Sequence, residues 1–332
     1  MDAALRITDH PEDLIVGASD AEGRRILSRQ PIIGYALASG GARGSGITGA
    51  MKVLEQAGIR PSVIAGTSIG SLVGAAHATG LSVERVEQEW LETDVGRVLR
   101  GFLPSNPRAG LSSGNELRKY LVELLGERSI EDLEIPYAAL ACDVDTGEAV
   151  TLTSGSLPDA VRASCAIPGV FHPVRWSERI LVDGGLVEPL PVRTCRELGA
   201  EYVIAIDICP RPHPTTTQVR DLWSRIGEQM RSLSEQSWVP ASLGDLLARL
   251  GEESENHVRP LPGVYSVLNQ SIAILQQELL RQKMVLHPPD VVIRPDVRMS
   301  IMGYFQAAEG ITAGEAAAEA ALPEILEKLG HP

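Results

Sequence analysis

Two apolar runs of strand length occur early in the chain, and each ends in a glycine-rich turn that leads into a helical pattern. The first run, residues 32–38, ends in Ser39–Gly44 (SGGARG), and helical periodicity follows over residues 47–57. The second run, residues 62–65, ends in Gly66–Gly70 (GTSIG) before another helix. This order predicts neighbouring parallel strands whose two glycine turns lie at the same edge of a sheet.

The second turn matches the G-x-S-x-G pattern of nucleophilic serines, but so does a later segment, Gly110–Gly114 (GLSSG). An activated serine projects from a sharp turn between a strand and a helix. Ser68 has both flanks, whereas no strand pattern precedes the later segment. There, Ser113 and Glu116 have the spacing of a capping box, which predicts a helix start. We therefore expect Ser68 to be the reactive serine.

The first glycine turn supports three alternative interpretations. Residues 44–49 (GSGITG) fit the dinucleotide fingerprint G-x-G-x-x-G, but the next strand ends in AGTS and offers no carboxylate for a ribose. In a second interpretation, the backbone N–H groups of Gly40 and Gly41 stabilise a developing oxyanion. In the third, the glycines serve only to make a tight turn.

The group that would accept the serine proton is less evident. The chain has seven histidines, and none lies in a catalytic motif. Asp183 follows the apolar run at residues 180–182 and precedes two glycines, which suits a fixed, exposed turn. An aspartate with a pKa of about 3.9 is a weak base, but burial beside Ser68 would raise that pKa. The alternative is a plain Asx turn.

Composition excludes several classes of function. The net charge of −13 over 332 residues argues against nucleic-acid binding and against electrostatic docking on anionic lipid. The four cysteines form no C-x-x-C pair, so they indicate neither a disulfide framework nor a zinc site. The first 30 residues are acidic and lack the apolar core of a signal peptide. We expect a cytoplasmic protein, with peripheral membrane association left open.

The three motifs together, SGGARG, GTSIG and Asp183–Gly185 (DGG), resemble the patatin-like phospholipase family in identity, order and spacing. The segment Ala163–Phe171 (ASCAIPGVF) and the run Leu190–Val192 are also similar to signatures of bacterial members. The resemblance covers about residues 31–208 well and the tail from Ile301 more weakly. It implies a three-layer α/β/α fold with a mainly parallel central sheet.

The resemblance also implies a serine acyl hydrolase that cleaves carboxylic esters of lipids with a Ser-Asp dyad and no metal or cofactor. Ser68 matches the nucleophile and Asp183 the base. The oxyanion hole corresponds to the backbone of Gly40 and Gly41, together with Ala42. The residues that support these motifs are Arg43, Gly44, Gly66, Gly70, Gly184 and Gly185. Ser39 departs from the glycine usual at its position, which a negative φ would allow, and Arg43 is expected to anchor the loop.

The predicted organisation is an N-terminal extension, residues 1–30, and a single hydrolase domain, residues 31–332. An insertion at about 209–262 has two amphipathic stretches, for which a lid, a membrane-contact element, a homodimer element and helices packed on the core are alternatives. The expected partner is a lipid or small ester, with transient contact at a membrane surface. Two rival functions are a Ser-His-Asp esterase that uses Asp207 and His287, and a low-turnover regulatory or scaffold protein.

Overall fold

The structure, a computed structural model, describes residues 15–19, 25–28, 31–92, 112–209, 264–297, 299 and 303–330. In the predicted N-terminal extension it describes two short strands, β1 (Ile15–Ser19) and β2 (Arg25–Ser28), which pair antiparallel as a separate sheet. The predicted insertion lies outside the described residues, apart from Cys209.

The remaining strands and the helices alternate in the first half of the chain, as the sequence pattern predicts. The strands are β3 (Ile33–Leu37), β4 (Val63–Thr67), β5 (Tyr137–Asp143), β6 (Ala149–Leu152), β7 (Val174–Trp176), β8 (Arg179–Asp183), β9 (Tyr202–Ile206) and β10 (Val291–Ile293). The α-helices are α1 (Ser45–Gln56), α2 (Ile69–Ala78), α3 (Val83–Glu92), α4 (Asn115–Leu125), α5 (Leu157–Ser164), α6 (Val192–Glu197), α7 (Val264–Leu286) and α8 (Ala307–Leu329).

Within the described ranges the main sheet has eight strands. Seven of them lie in the order β10-β9-β3-β4-β5-β8-β7, and β6 pairs with β5. Every pair from β10 to β5 is parallel, whereas β6, β7 and β8 pair antiparallel with their neighbours. The sheet is therefore mainly parallel, and the predicted α/β class is confirmed. Because β3 and β4 are parallel neighbours, their glycine turns lie at the same sheet edge.

Strand β5 has one feature on which the geometry of the site depends. Its residues 137–140 pair with β4, its residues 141–143 pair with β8, and its residues 139–142 pair with β6. Since a strand has only two edges, β4 and β8 must share one edge while β6 takes the other. Strand β4 runs parallel to β5 and β8 runs antiparallel, so the carboxyl ends of β4 and β8 meet beside Leu140 and Ala141.

Helices cover both faces of the sheet. A Cβ on Gly34 would approach Val63 and Cys195, which places α6 against one face, whereas a Cβ on Gly74 would approach Ile64 and Leu37, which places α2 against the other. Large apolar side chains between these layers are fully buried, among them Leu37, Ile64, Leu140, Leu181, Ile204 and Ile206. Complete burial of one such side chain contributes about 1.5–3 kcal/mol.

Helices α1 and α8 pack backbone against backbone. A Cβ on Gly49 would lie 2.0 Å from the carbonyl oxygen of Ile311, and one on Gly314 would lie 2.1 Å from that of Gly46. Any larger residue would push the helices apart. Of the glycines that fit the dinucleotide fingerprint, Gly49 is thus explained by the packing of α1 on α8.

The start of α4 differs from the sequence prediction. The predicted capping box at Ser113 does not form, because α4 begins at Asn115 with Gly114 as its N-cap, and the Ser113 hydroxyl accepts from the Asn115 N–H at 3.3 Å. Gly114 occupies the N-cap position with a φ of 73°, a conformation that glycine adopts without strain, and it has no side chain to cap the helix.

None of the helices in the described ranges is long and apolar enough to cross a membrane.

Candidate active site

Ser68 occupies a strained turn between β4 and α2. It is the single residue between the end of the strand at Thr67 and the start of the helix at Ile69, and its φ is 54° with ψ −122°. A positive φ in a residue with a side chain costs on the order of 1–3 kcal/mol and persists only where the surroundings enforce it. The Ser68 side chain is buried, with 5% exposure.

The two glycines of GTSIG allow the close backbone contacts that this turn needs. A Cβ on Gly66 would lie 2.4 Å from the carbonyl oxygen of Gly70, and one on Gly70 would lie 2.3 Å from that of Leu37. Such distances are impossible for real side chains, so both positions require glycine. The contact at Gly70 also brings the end of β3 and its glycine loop next to the Ser68 turn.

Side-chain hydrogen bonds hold the turn on both sides of Ser68. The Ser71 hydroxyl donates to the Ser68 carbonyl oxygen at 2.6 Å, and the Tyr137 hydroxyl donates to that of Ser71 at 2.7 Å. The Thr67 hydroxyl donates to the Glu188 carbonyl oxygen at 2.8 Å. These contacts involve buried groups, for which a satisfied hydrogen bond avoids a large desolvation cost, and they fix the start of α2.

Asp183 is the last residue of β8 and faces Ser68. The Ser68 hydroxyl donates to its Oδ2 at 2.6 Å, and the Gly185 N–H donates to its Oδ1 at 2.8 Å. Gly184 and Gly185 begin a short 3-10 turn directly after the strand. The bond from the Gly185 N–H to the Asp183 side chain is that of an Asx turn, so the two interpretations of Asp183 are compatible. Burial raises the pKa of Asp183 to about 6, against the opposing effect of its two hydrogen bonds.

This arrangement has the chemistry of a nucleophile beside a base. At neutral pH a carboxyl group with a pKa of about 6 is mostly ionised, yet it is a stronger base than an exposed aspartate. The neighbouring thiol of Cys165 stays protonated, because burial and the charge of Asp183 raise its pKa. Ser68 and Asp183 therefore form a pair in which a proton can move from oxygen to oxygen.

The glycine loop after β3 continues as a short 3-10 helix, Gly41–Gly44, and Gly41 has a φ of 59°. Within the described residues, the N–H groups of Gly40 and Gly41 donate a hydrogen bond to no backbone or side-chain atom. Ser39 is not among the residues with positive φ, which outside glycine are Ser68 and Ser177 in the described ranges. Serine therefore replaces glycine at this position without backbone strain.

Arg43 lies in the same short helix with its side chain buried at 5% exposure. Burial lowers the pKa of its guanidinium to about 10, so it remains charged at neutral pH. Its Nη1 is buried and has no hydrogen-bond partner in the described part of the chain. Gly44 packs closely on Ile69 and Trp90.

Asp207, the aspartate of the rival Ser-His-Asp interpretation, has other partners. Asp207 pairs with Arg294 at 3.3 Å and accepts from the Cys209 N–H at 3.1 Å. His77 lies on α2, where burial lowers its pKa, and the charges that act on it are Glu55 and Arg60. Of the histidines within the described ranges, none accepts the Ser68 hydroxyl proton, which is donated to Asp183.

The second G-x-S-x-G serine has a structural environment. Ser112 is buried and forms a parallel bridge with Phe171, and its N–H donates to the Val170 carbonyl oxygen at 2.9 Å. Its hydroxyl accepts from the Gly114 N–H at 3.3 Å. Ser112 thus joins α4 to the loop after α5 and is not placed in a strand-to-helix turn.

Two residues near the pair were not predicted. Ser164, in the ASCAIPGVF segment, accepts from the Ser68 N–H at 2.9 Å. Gln276 of α7 reaches the same place, since its Nε2 lies 2.6 Å from the position of a Cβ on Gly185. The segment around Ser164 is a recognisable sequence signature, but no residue pattern indicates that its hydroxyl meets Ser68. Gln276 lies on a helix whose position in the fold no local pattern reveals.

Comparison with known proteins supports the family expectation. A protein-family model described as patatin-like phospholipase matches residues 35–196. Uncharacterised NTE family proteins of Mycobacterium bovis and Mycobacterium tuberculosis are each 30% identical over 334 residues, and the matches cover 89% of this chain and 92% of each relative. Neuropathy target esterase sws of Drosophila melanogaster is 35% identical over 181 residues, which are 53% of this chain and 13% of that protein.

The crystal structure of VipD from Legionella pneumophila aligns with a TM-score of 0.46 at 15% identity, over 94% of this chain and 70% of that one. The sequence matches define the class of the protein, a hydrolase of lipid esters. More closely, the chain belongs to the patatin-like phospholipase family.

Proposed function

We propose that the protein hydrolyses acyl esters of lipids through a Ser-Asp dyad, in which Ser68 is the nucleophile and Asp183 the general base. The observation that carries the proposal is the 2.6 Å hydrogen bond from the Ser68 hydroxyl to Asp183 Oδ2. A nucleophile and its base must lie within this reach for the proton to transfer as the new bond forms.

The reaction proceeds in two steps through an acyl-enzyme. Ser68 Oγ attacks the ester carbonyl as its proton passes to Asp183, and Asp183 then protonates the departing alcohol as the ester C–O bond breaks. Water next gives a proton to Asp183 and attacks the acyl group. The fatty acid leaves and the proton returns to Ser68. The raised pKa of Asp183, about 6, supports both its roles as acceptor and donor near neutral pH.

The oxyanion of each tetrahedral intermediate needs hydrogen-bond donors. The N–H groups of Gly40 and Gly41, with that of Ala42, are the donors we assign. Two observations support this: Gly70 brings the loop after β3 against the Ser68 turn, and the first two N–H groups have no other acceptor in the described ranges. A preorganised donor of this kind contributes about 3–4 kcal/mol to the barrier reduction.

Helix α7 supports a transient contact with a neutral or zwitterionic lipid surface. Its inner side reaches the site through Gln276, and its residues 264–277 include no charged side chain. Its outer side exposes six large apolar residues, which are Val267, Leu268, Ile274, Leu275, Val285 and Leu286. Four of them, Val267, Leu268, Ile274 and Leu275, share one face of the uncharged first half of the helix, whereas Val285 and Leu286 lie beyond the exposed Glu278–Arg281 ion pair. The net charge of −13 disfavours an anionic surface.

The test is hydrolysis of a series of p-nitrophenyl esters of increasing chain length, with lysophospholipid and phospholipid alongside. The wild type should turn over at least the longer-chain members, and Ser68→Ala should abolish turnover. Ser112→Ala is the matched control, because it removes the other G-x-S-x-G serine, and it should retain activity. Turnover by Ser68→Ala at the wild-type rate would refute the mechanism. A folded wild type without any turnover would favour the scaffold alternative.

A further inference from the structure

Ser164 is the last residue of α5 and is completely buried, at 0% exposure. Its hydroxyl makes two hydrogen bonds in opposite senses. It accepts from the Ser68 N–H at 2.9 Å, and it donates to the Leu140 carbonyl oxygen of β5 at 2.6 Å. One hydroxyl group thus connects the backbone of the proposed nucleophile to the neighbouring strand.

The register of the sheet reveals what this hydroxyl replaces. In the parallel pair of β4 and β5, the Ile64 N–H donates to the Pro136 carbonyl oxygen at 2.9 Å. The register remains regular up to the pair Thr67 and Leu140. Four residues further on in each strand, the regular ladder would join the Ser68 N–H directly to the Leu140 carbonyl oxygen. The Ser164 hydroxyl lies between these two groups and bonds to both.

We propose that Ser164 is a positioning residue, whose inserted hydroxyl makes β4 leave β5 at Ser68 and thereby sets the nucleophile against Asp183. The proposal rests on the proposed roles of Ser68 and Asp183. The location fits this function, because β8 takes over the same edge of β5 at Ala141, one residue beyond Leu140. The space between the two strand ends is where the Ser68 and Asp183 side chains meet.

If the Ser164 hydroxyl is removed, the turn at Ser68 can respond in two ways. Either the Ser68 N–H and the Leu140 carbonyl oxygen stay buried without partners, or they close the ladder by bonding directly. The first removes the restraint on a residue held at a φ of 54°. The second pulls Ser68 toward β5. Both move Oγ away from its 2.6 Å contact with Asp183 Oδ2.

The experiment compares wild type and Ser164→Ala in their reaction with a fluorophosphonate probe, recording the rate constant and the fraction of protein that is labelled. A displaced nucleophile lowers the rate constant by about 10- to 100-fold while the labelled fraction stays complete. Ester hydrolysis should lose the same factor in kcat with KM nearly unchanged. Ser164→Thr, which keeps a hydroxyl, should recover most of the rate.

The matched control is Thr48→Ala on α1. The Thr48 hydroxyl is also buried and accepts a hydrogen bond from Trp90 Nε1 at 2.9 Å. This variant should lose stability without a change in the labelling rate constant. If Ser164→Ala does not fold, Ser164→Cys supplies the comparison, since a thiol fills the position but is a weak donor and acceptor.

A rate constant within about twofold of wild type in the folded variant would overturn the proposal. So would a reduced labelled fraction with an unchanged rate constant, which is the signature of a structural role only. Wild-type protein that takes no label at Ser68 would contradict the assignment of the nucleophile itself, and the positioning role with it, so the two failures are distinguishable.

Discussion

Ser68 and Asp183 lie at the meeting ends of two strands that run in opposite directions along one edge of β5, and their side-chain oxygens are 2.6 Å apart. The pair is therefore set by the register of the sheet, because Asp183 is the last residue of β8 and Ser68 directly follows the last residue of β4. In the proposed mechanism this strand-end pair acts without a histidine.

Activity should depend on the ionisation of Asp183. Since burial raises its pKa to about 6, kcat/KM for a neutral ester should be level above about pH 7 and fall tenfold per pH unit below 6. Initial rates from pH 4.5 to 8.5 measure this, with recovery at pH 7.5 as the control for unfolding. A profile that stays level down to pH 5 would contradict the role of Asp183 as a base.

The same shift predicts a pH-dependent gain in stability for Asp183→Asn. A carboxyl whose pKa rises from 3.8 unfolded to about 6 folded favours folding while it is protonated, and this contribution is lost as the pH rises through 6. The amide variant should thus become more stable than wild type above pH 6, by on the order of 2–3 kcal/mol, and the gain should vanish below about pH 4. Urea denaturation at pH 4, 6 and 8 measures it, and a gain independent of pH would refute it.

A histidine base would also give a break near pH 6, so the histidines need a separate test. With a Ser-Asp dyad, each single histidine-to-alanine variant should keep kcat within about twofold of wild type. Loss of a true general base costs about 10²- to 10⁴-fold. The seven positions are His10, His77, His172, His213, His257, His287 and His331. A loss of the larger size at any of them, in folded protein, would favour the Ser-His-Asp esterase.

The outer face of α7 should contribute to activity on lipid assemblies only. The double variant Leu268→Gln and Leu275→Gln removes two side chains that are 57% and 68% exposed. It should reduce sedimentation with phosphatidylcholine vesicles and hydrolysis of vesicle lipid severalfold, but leave a soluble short-chain ester unaffected. Leu91→Gln on α3, at 56% exposure, is the control and should change neither. Unchanged vesicle binding with altered self-association would point to a homodimer surface.

Much of the fold could be predicted because its signals are local. Apolar runs that end in glycine turns placed β3 and β4 as parallel neighbours, and the strand-to-helix context separated Ser68 from Ser112. The predicted capping box was wrong, since the left-handed Gly114 starts α4 instead.

The features that escaped prediction are those that depend on distant pairing. No periodicity in Arg179–Asp183 indicates that β8 runs antiparallel on the edge of β5 that β4 leaves. Likewise, Ser164 meets Ser68 because α5 ends against that edge, although 96 residues separate them in sequence. The glycines of residues 44–49 suggested a ligand loop from spacing alone, whereas the structure explains Gly44 by its contact with Ile69 and Trp90 and Gly49 by the approach of α8.

The most direct test of the dyad is covalent trapping with a fluorophosphonate, read by intact mass and peptide mapping. Wild-type protein should gain one adduct at Ser68, Ser68→Ala should gain none, and Asp183→Asn should react at least about 100-fold more slowly while remaining folded. An adduct on Ser68→Ala, or an Asp183→Asn variant that is labelled at the wild-type rate, would contradict the account.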